Sequence, residues 1–141
     1  MAALAVVRRL IGVETSRRVE KVAPTIVVAE DDDELRELIA DLLEDSGYDV
    51  IPAANGKQVT DYLEAAERPP DAIVLDLLMP LVSGWEVLRQ LRSRPRWTDI
   101  PVVAVTGLSR DRPSGVTAVL KKPFPVHDLL LILERASSHW K

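Results

Sequence analysis

From residue 24 onward, short apolar runs alternate with amphipathic stretches. Thr25-Ile26-Val27-Val28-Ala29 is an unbroken apolar run, the pattern of a strand covered on both faces. Leu35 is followed by Leu38, Ile39, Leu42 and Leu43 at spacings of 3, 4, 7 and 8, which is one face of a helix. Gly47 closes that helix in a C-terminal cap position. Tyr48 to Pro52 predicts a short second strand, and Asn55-Gly56 marks a turn into a second helical stripe of Val59, Tyr62, Leu63 and Ala66, broken by Pro69-Pro70. Ala72-Ile73-Val74-Leu75 predicts a third strand that runs directly into Asp76. Val87, Leu88 and Leu91 mark a third helix that stops before Pro95. Val102 to Val105 and Val116 to Leu120 predict two further strands, and Val126, Leu129, Leu130 and Leu133 line a last helix.

Regular βα alternation predicts one α/β domain over residues 24–141, a doubly wound five-stranded parallel sheet with right-handed crossovers and helices on both faces. The last crossover is short. Only 15 residues separate Thr106 from Lys122, and the part outside the fifth strand, residues 107–115, contains Gly107, Pro113 and Gly115. A crossover with its helix takes at least about 10–12 residues, so the fourth helix is expected to be reduced or absent. Such folds place ligands at the C-terminal edge of the sheet. The residues that follow the strands there are Glu30-Asp31-Asp32-Asp33, Asp76, Thr106 and Lys122.

Composition narrows the chemistry. The chain has 141 residues, a formal net charge of −4 and 47% apolar residues, which suits one ordinary core. No cysteine is present, which excludes disulfides, thiolate metal sites and thiol nucleophiles, and His127 and His139 sit in no metal-ligand spacing. They are read as surface residues, and Trp85 and Trp97 as packing or loop anchors. No apolar run approaches the roughly 18–20 residues of a membrane span. Residues 1–23 carry Arg8, Arg9, Arg17, Arg18 and Lys21 against Glu14 and Glu20, a formal +3 that leaves −7 on the rest. An acidic body argues against nucleic-acid binding. With no secretory signal pattern, a cytoplasmic protein is expected. The N-terminal extension, residues 1–23, is read either as a short helix with Leu4, Val7, Leu10 and Ile11 on one side or as a poorly ordered tail.

Carboxylates from two strand ends converging with one hydroxyl and one ammonium suggest a hard, oxygen-only cation site of the kind that suits Mg²⁺. Thr106 and Lys122 then read as a hydrogen-bond donor and a point charge for an anion beside the metal. The set is suited to phosphoryl transfer onto a carboxylate. Each part has a plainer reading. Acidic residues before a helix cap it and complement its dipole, and an Asp after a strand is a common turn residue. Their coincidence at four strand ends favours the site.

Over residues 24–140 the sequence resembles the receiver domain of two-component response regulators, the CheY-like family. Ile26-Val27-Val28-Ala29-Glu30-Asp31 followed by Leu35-Arg36 is similar to the family's first strand and acidic pair. Asp76 with Met79-Pro80 and Gly84, Val103-Ala104-Val105-Thr106, and Lys122-Pro123-Phe124 are similar to its phosphoacceptor loop, switch strand and lysine–proline motif. The resemblance implies that Asp76 accepts a phosphoryl group from a phosphohistidine. It implies direct Mg²⁺ ligation by Asp31, Asp76 and the Leu78 backbone carbonyl, with Glu30 acting through a bound water. Thr106 and Lys122 would bind phosphoryl oxygens, and the peptide bond before Pro123 would be cis. Four successive acidic residues qualify for the pair, and the Leu35-Arg36 register favours Glu30 and Asp31, leaving Asp32 or Asp33 to cap the helix.

The chain also departs from that pattern. The family normally uses the fourth helix, fifth strand and fifth helix as its output or dimer face. Where its fifth strand carries an aromatic switch residue, this chain has Val119. Residues 107–115 are expected to order when Thr106 engages a phosphoryl group. Leu78 and Leu108 stand where the family tunes access of hydrolytic water, and neither can orient a water, so slow self-dephosphorylation is expected. Since little chain remains after the last helix, the expectation is a stand-alone receiver, a monomer or weak dimer. It would exchange phosphoryl groups with a histidine kinase or histidine phosphotransfer protein and signal to a downstream protein target. It would be no enzyme beyond catalysing its own phosphorylation and dephosphorylation. The first rival is a pseudo-receiver that binds partners without phosphorylation. An aspartyl-nucleophile phosphatase is a weaker rival, because its second acid would fall at Leu78. A flavin binder is weaker still, because four carboxylates replace the phosphate loop.

Overall fold

A computed structural model describes residues 23–107 and 113–136. The strands are β1 (Thr25–Ala29), β2 (Asp49–Ala53), β3 (Ala72–Asp76), β4 (Val102–Thr106) and β5 (Ala118–Lys121). The helices are α1 (Asp33–Asp45), α2 (Gly56–Ala65), α3 (Gly84–Ser93) and α4 (Val126–Ala136). All pairings are parallel, and the sheet order is β2-β1-β3-β4-β5. This is the doubly wound architecture that the alternating pattern predicts, with chain reversal between β1 and β3 at the centre of the sheet.

The pleat sorts each strand's side chains into two cores. Ile26, Val28, Val74, Val103 and Val105 face one way, onto Ile39 and Leu43 of α1 and Leu129 and Leu133 of α4. Val27, Ala29, Ile73, Leu75 and Val102 face the other way, onto Val59 and Leu63 of α2 and Val87 and Leu91 of α3. Because both faces are covered, β1, β3 and β4 are apolar without alternation except at their ends, where Thr25, Asp76 and Thr106 stand. Burying each large aliphatic side chain contributes about 1.5–3 kcal/mol relative to exposure.

Side-chain caps start the helices. Asp32 Oδ1 accepts from Leu35 N at 3.1 Å, so Asp32 rather than Asp33 is the cap of α1. Asn55 Oδ1 accepts from Gln58 N at 2.9 Å, while Gln58 Oε1 accepts in return from Ala54 N at 2.7 Å. Ser83 Oγ accepts from Glu86 N at 3.2 Å and opens α3. Gly47, at φ 98°, takes the chain out of α1 in the left-handed region that the glycine permits.

Two strand boundaries differ from the sequence expectation. β2 is displaced by one residue, because Tyr48 turns into the α1–α4 core and ladder pairing starts at Asp49 opposite Thr25. β5 starts at Ala118 rather than Val116. Val116 instead packs onto the α2–α3 core, and Arg92 holds the preceding carbonyl, so pairing begins opposite Val103.

Between β4 and β5 the described residues contain no helix. Pro113 is buried, and Gly115 has φ 80°. Arg92 of α3 reaches this strap. Its Nε donates to Gly115 O at 2.9 Å, and its guanidinium also donates to Thr98 O at 2.6 Å and Ile100 O at 3.2 Å. Residues 1–22, Leu108 and the middle of the 107–115 segment lie outside the described residues, and so do the expectations placed on them. No helix among the described residues is long and apolar enough to cross a membrane.

Candidate functional site

The C-terminal ends of β1, β3, β4 and β5 lie side by side, because Ala29 pairs with Leu75, Asp76 with Val105, and Thr106 with Lys121. That register brings Glu30, Asp76, Thr106 and Lys122 to one edge. Glu30, Asp76 and Thr106 are buried polar residues in an otherwise apolar interior. Groups that are expensive to bury persist where the surroundings compensate them.

The compensation is specific. The Lys122 ammonium lies 2.8 Å from Glu30 Oε1 and 3.1 Å from Asp76 Oδ2, so two carboxylates share one cation. The other oxygens accept backbone donors: Glu30 Oε2 from Asp32 N and Asp76 Oδ1 from Leu78 N, both at 3.1 Å. Burial pushes the Glu30 carboxyl up to about 7 and Asp76's charge adds to the rise, while hydrogen bonds from Lys122 and Asp32 pull it back only in part. For Lys122, burial acts to lower the ammonium's pKa, but the two carboxylate partners outweigh it and the net shift is upward.

Asp31 completes the group. Carboxylate oxygens of Glu30, Asp31 and Asp76 lie within 4.8 Å of one another. At that separation two like charges repel by about 3 kcal/mol at an effective dielectric near 20. When all three carboxylates are ionised, the one ammonium leaves two negative charges unmatched. The donor set is hard, oxygen-only and of divalent-cation charge, which fits Mg²⁺ better than a softer metal.

The β3–α3 loop is held close to this pocket. A Cβ at Gly84 would stand 2.1 Å from Asp76 O and 2.6 Å from Leu77 Cα, so α3 approaches the end of β3 as only glycine allows. Gly84 N donates to Leu77 O at 3.1 Å. A Cβ at Gly56 would stand 2.0 Å from Val82 O, fixing the loop against the start of α2 as well. Leu78 is 57% exposed and Leu81 79% exposed, and Leu81 takes φ 66°. The Lys122–Pro123 peptide is cis. Val119 is half-buried and stands opposite Ala104 in the ladder.

The sequence reading missed two parts of this arrangement. Arg36 served there only as a register marker, yet its Nη1 donates to the Glu30 carbonyl at 2.8 Å. Its position one turn into a capped helix is the signal, since long helical side chains lean back over the preceding turn. The Gly56–Val82 approach has no sequence signal, because it joins segments that meet only in the tertiary fold. Of the two tryptophans expected to anchor packing, Trp97 is buried, with the Arg94 guanidinium 4.4 Å above its ring, whereas Trp85 is 40% exposed.

A parallel doubly wound five-stranded sheet whose switch-point edge carries three clustered carboxylates and a shared lysine defines an α/β domain of the flavodoxin- and CheY-like class. Within that class, the chain belongs to the response regulator receiver domain family, whose sequence pattern matches residues 26–134. It is 36% identical over 108 residues to the polar-differentiation response regulator DivK of Brucella anthropi, covering 72% of this chain and 86% of DivK. It is 36% identical over 113 residues to the DNA-binding dual master transcriptional regulator RpaA of Synechocystis, covering 76% of this chain but only 46% of RpaA. Among solved structures it resembles the receiver domain of sensor histidine kinase PA1611 from Pseudomonas aeruginosa, which has a magnesium ion coordinated in its active-site cleft. The TM-score is 0.72 at 29% identity, covering 81% of this chain and 97% of that one. Receiver domains are signalling modules that interact with histidine kinases and downstream effectors.

Proposed function

We propose that Asp76 of this receiver accepts a phosphoryl group from a phosphohistidine donor in a Mg²⁺-dependent reaction. The observation that carries the reading is the shared ammonium: Lys122 bridges Glu30 and Asp76 while Asp31 joins them within 4.8 Å. Asp31, Asp76 and the Leu78 carbonyl would hold the metal, with Glu30 acting through a bound water. Mg²⁺ in that place supplies charge neutralisation for the phosphoryl oxygens and a template for their approach.

The chain's own residues do the rest. Leu78 N and Lys122 Nζ grip one oxygen each of the Asp76 carboxylate, which limits its rotation. One Asp76 oxygen forms the new bond to phosphorus as the donor's N–P bond breaks, and the imidazole nitrogen leaves with that electron pair. Lys122 then exchanges a carboxylate partner for a phosphoryl oxygen, and the Thr106 hydroxyl donates to another. The product is an aspartyl phosphate read by a downstream protein.

The test is incubation with acetyl phosphate and Mg²⁺, followed by intact-mass measurement of wild type and Asp76→Asn. One added phosphoryl group on wild type and none on the variant is the expected result. A phosphorylation-independent interaction module is the second reading, favoured by the helix-free connection among the described residues and by Val119. Wild type that stays unmodified and shows no spectral change with beryllofluoride selects that reading.

A further inference from the structure

Two of the three clustered carboxylates sit on the β1–α1 turn, but only one of them is held in place through its side chain. Glu30 is tied at Oε1 to Lys122, at Oε2 to Asp32 N, and through its own N–H to Ala53 O at 3.0 Å. Asp31 is exposed, and among the described residues no group bonds its carboxylate. The direction of that carboxylate therefore depends on the backbone of residues 30–33. Arg36 closes this backbone into a loop. Its Nη1 donates to the Glu30 carbonyl at 2.8 Å, its Nη2 pairs with Asp33, and its own N–H donates to Asp32 O at 2.9 Å. The side chain is only 17% exposed although it belongs to an acidic surface helix. This is the arrangement of an outer residue that orients a ligand-bearing turn.

We infer that Arg36 is a positioning residue for the divalent cation, clamping the Glu30 carbonyl so that Asp31 meets the ion at the angle an octahedral shell requires. The inference rests on the reading of Glu30, Asp31 and Asp76 as a Mg²⁺ site. Its effect opposes simple electrostatics. A guanidinium beside a cation site repels the ion, so removing it should tighten binding of any divalent cation if charge alone mattered. A positioning role reverses that sign, and it falls unequally on two ions, because Mg²⁺ demands near-ideal octahedral geometry while Ca²⁺ accepts irregular shells.

Calorimetric titration of the full chain with Mg²⁺ and with Ca²⁺ tests this for wild type, Arg36→Met and Arg36→Lys, alongside thermal unfolding of the metal-free forms. Arg36→Met should weaken Mg²⁺ binding about tenfold or more, weaken Ca²⁺ binding clearly less, and leave a cooperative metal-free unfolding transition. Arg36→Lys, which retains the charge and one donor, should recover part of the Mg²⁺ affinity. Equal or tighter Mg²⁺ binding by Arg36→Met overturns the inference, as does an equal loss for both ions. Should Arg36→Met fail to fold, the ratio of Mg²⁺ to Ca²⁺ affinity in Arg36→Lys decides, and an unchanged ratio overturns it. If wild type binds neither ion, the reading of the site fails first and takes this inference with it.

Discussion

The two ends of the β4 strand's neighbourhood are built on different plans. At the acidic edge, Glu30 and Asp76 use both carboxylate oxygens, Lys122 serves two partners, and Gly84 and Gly56 let the surrounding backbones close to within contact. The described residues of the strap from β4 to β5 contain no helix, and its Gly115 carbonyl meets the Thr98 and Ile100 carbonyls, which precede β4, on one guanidinium, that of Arg92. Many short-range contacts hold the first region, whereas the described part of the second rests on one guanidinium from a neighbouring helix, on the buried Pro113 and on Val116 packed against the α2–α3 core. The contrast separates two demands. A phosphoryl-transfer pocket needs donors and acceptors fixed before the ligand arrives, while a connecting segment needs only to satisfy its buried backbone groups.

That contrast can be broken most severely at Asp76. Asp76→Asn should abolish phosphoryl incorporation from acetyl phosphate, read by intact mass, while retaining the cooperative fold, because the amide keeps the shape of the carboxylate but not its nucleophilicity. At Gly84 the expected loss is one of stability. Gly84→Ala places a methyl against the Asp76 carbonyl and should cost about 3 kcal/mol in urea denaturation, since backbone atoms cannot step aside as a flexible side chain can.

Arg92→Met should remove about 2–3 kcal/mol and speed amide exchange across residues 113–117, since the Gly115, Thr98 and Ile100 carbonyls lose a charged donor. Mg²⁺ affinity should stay within about twofold, because additivity holds for groups that share no partner. A parallel loss of metal binding would show that the two regions are one cooperative unit.

The acidic edge also has a pH signature. Glu30 is held at about 7 in the fold, above its ordinary value of 4.5, so the native state binds this proton more tightly than the unfolded chain does. Stability from this residue is therefore fully present below about pH 4.5 and is lost as pH rises through about 7. Without divalent ions, Glu30→Gln should gain on wild type by about 1–3 kcal/mol between pH 5 and pH 8, measured by urea denaturation at each pH. A difference that does not change with pH would show that Lys122 neutralises Glu30 throughout. The smallest expected effect concerns the exposed loop: Leu78→Asn should shorten the phosphorylated lifetime a few-fold by offering hydrogen bonds to an incoming water.

Much of this molecule was legible before any coordinates. Continuous apolar runs marked the central strands β1, β3 and β4, because a parallel sheet covered on both faces leaves no polar alternation, whereas the edge strands β2 and β5 were legible only to within one or two residues. Helical spacings of three and four marked the stripes that α1 to α4 bury, except that Leu38 is 55% exposed and Ala66 caps α2 rather than lying within it, and the count of residues between Thr106 and Lys122 left little room for a further helix. The identities at the strand ends pointed to the acidic edge for the same local reason. Each follows directly from a strand, and strand ends in such sheets converge. What only the tertiary structure decided is how those ends meet. That one Lys122 ammonium serves both Glu30 and Asp76, and that Gly56 lies under Val82, are contacts between segments whose relative placement depends on ladder register and on helices packing over a twisted sheet. Local spacing carries no information about such distances, because they are set by the simultaneous packing of both faces of the sheet rather than by any one stretch of chain.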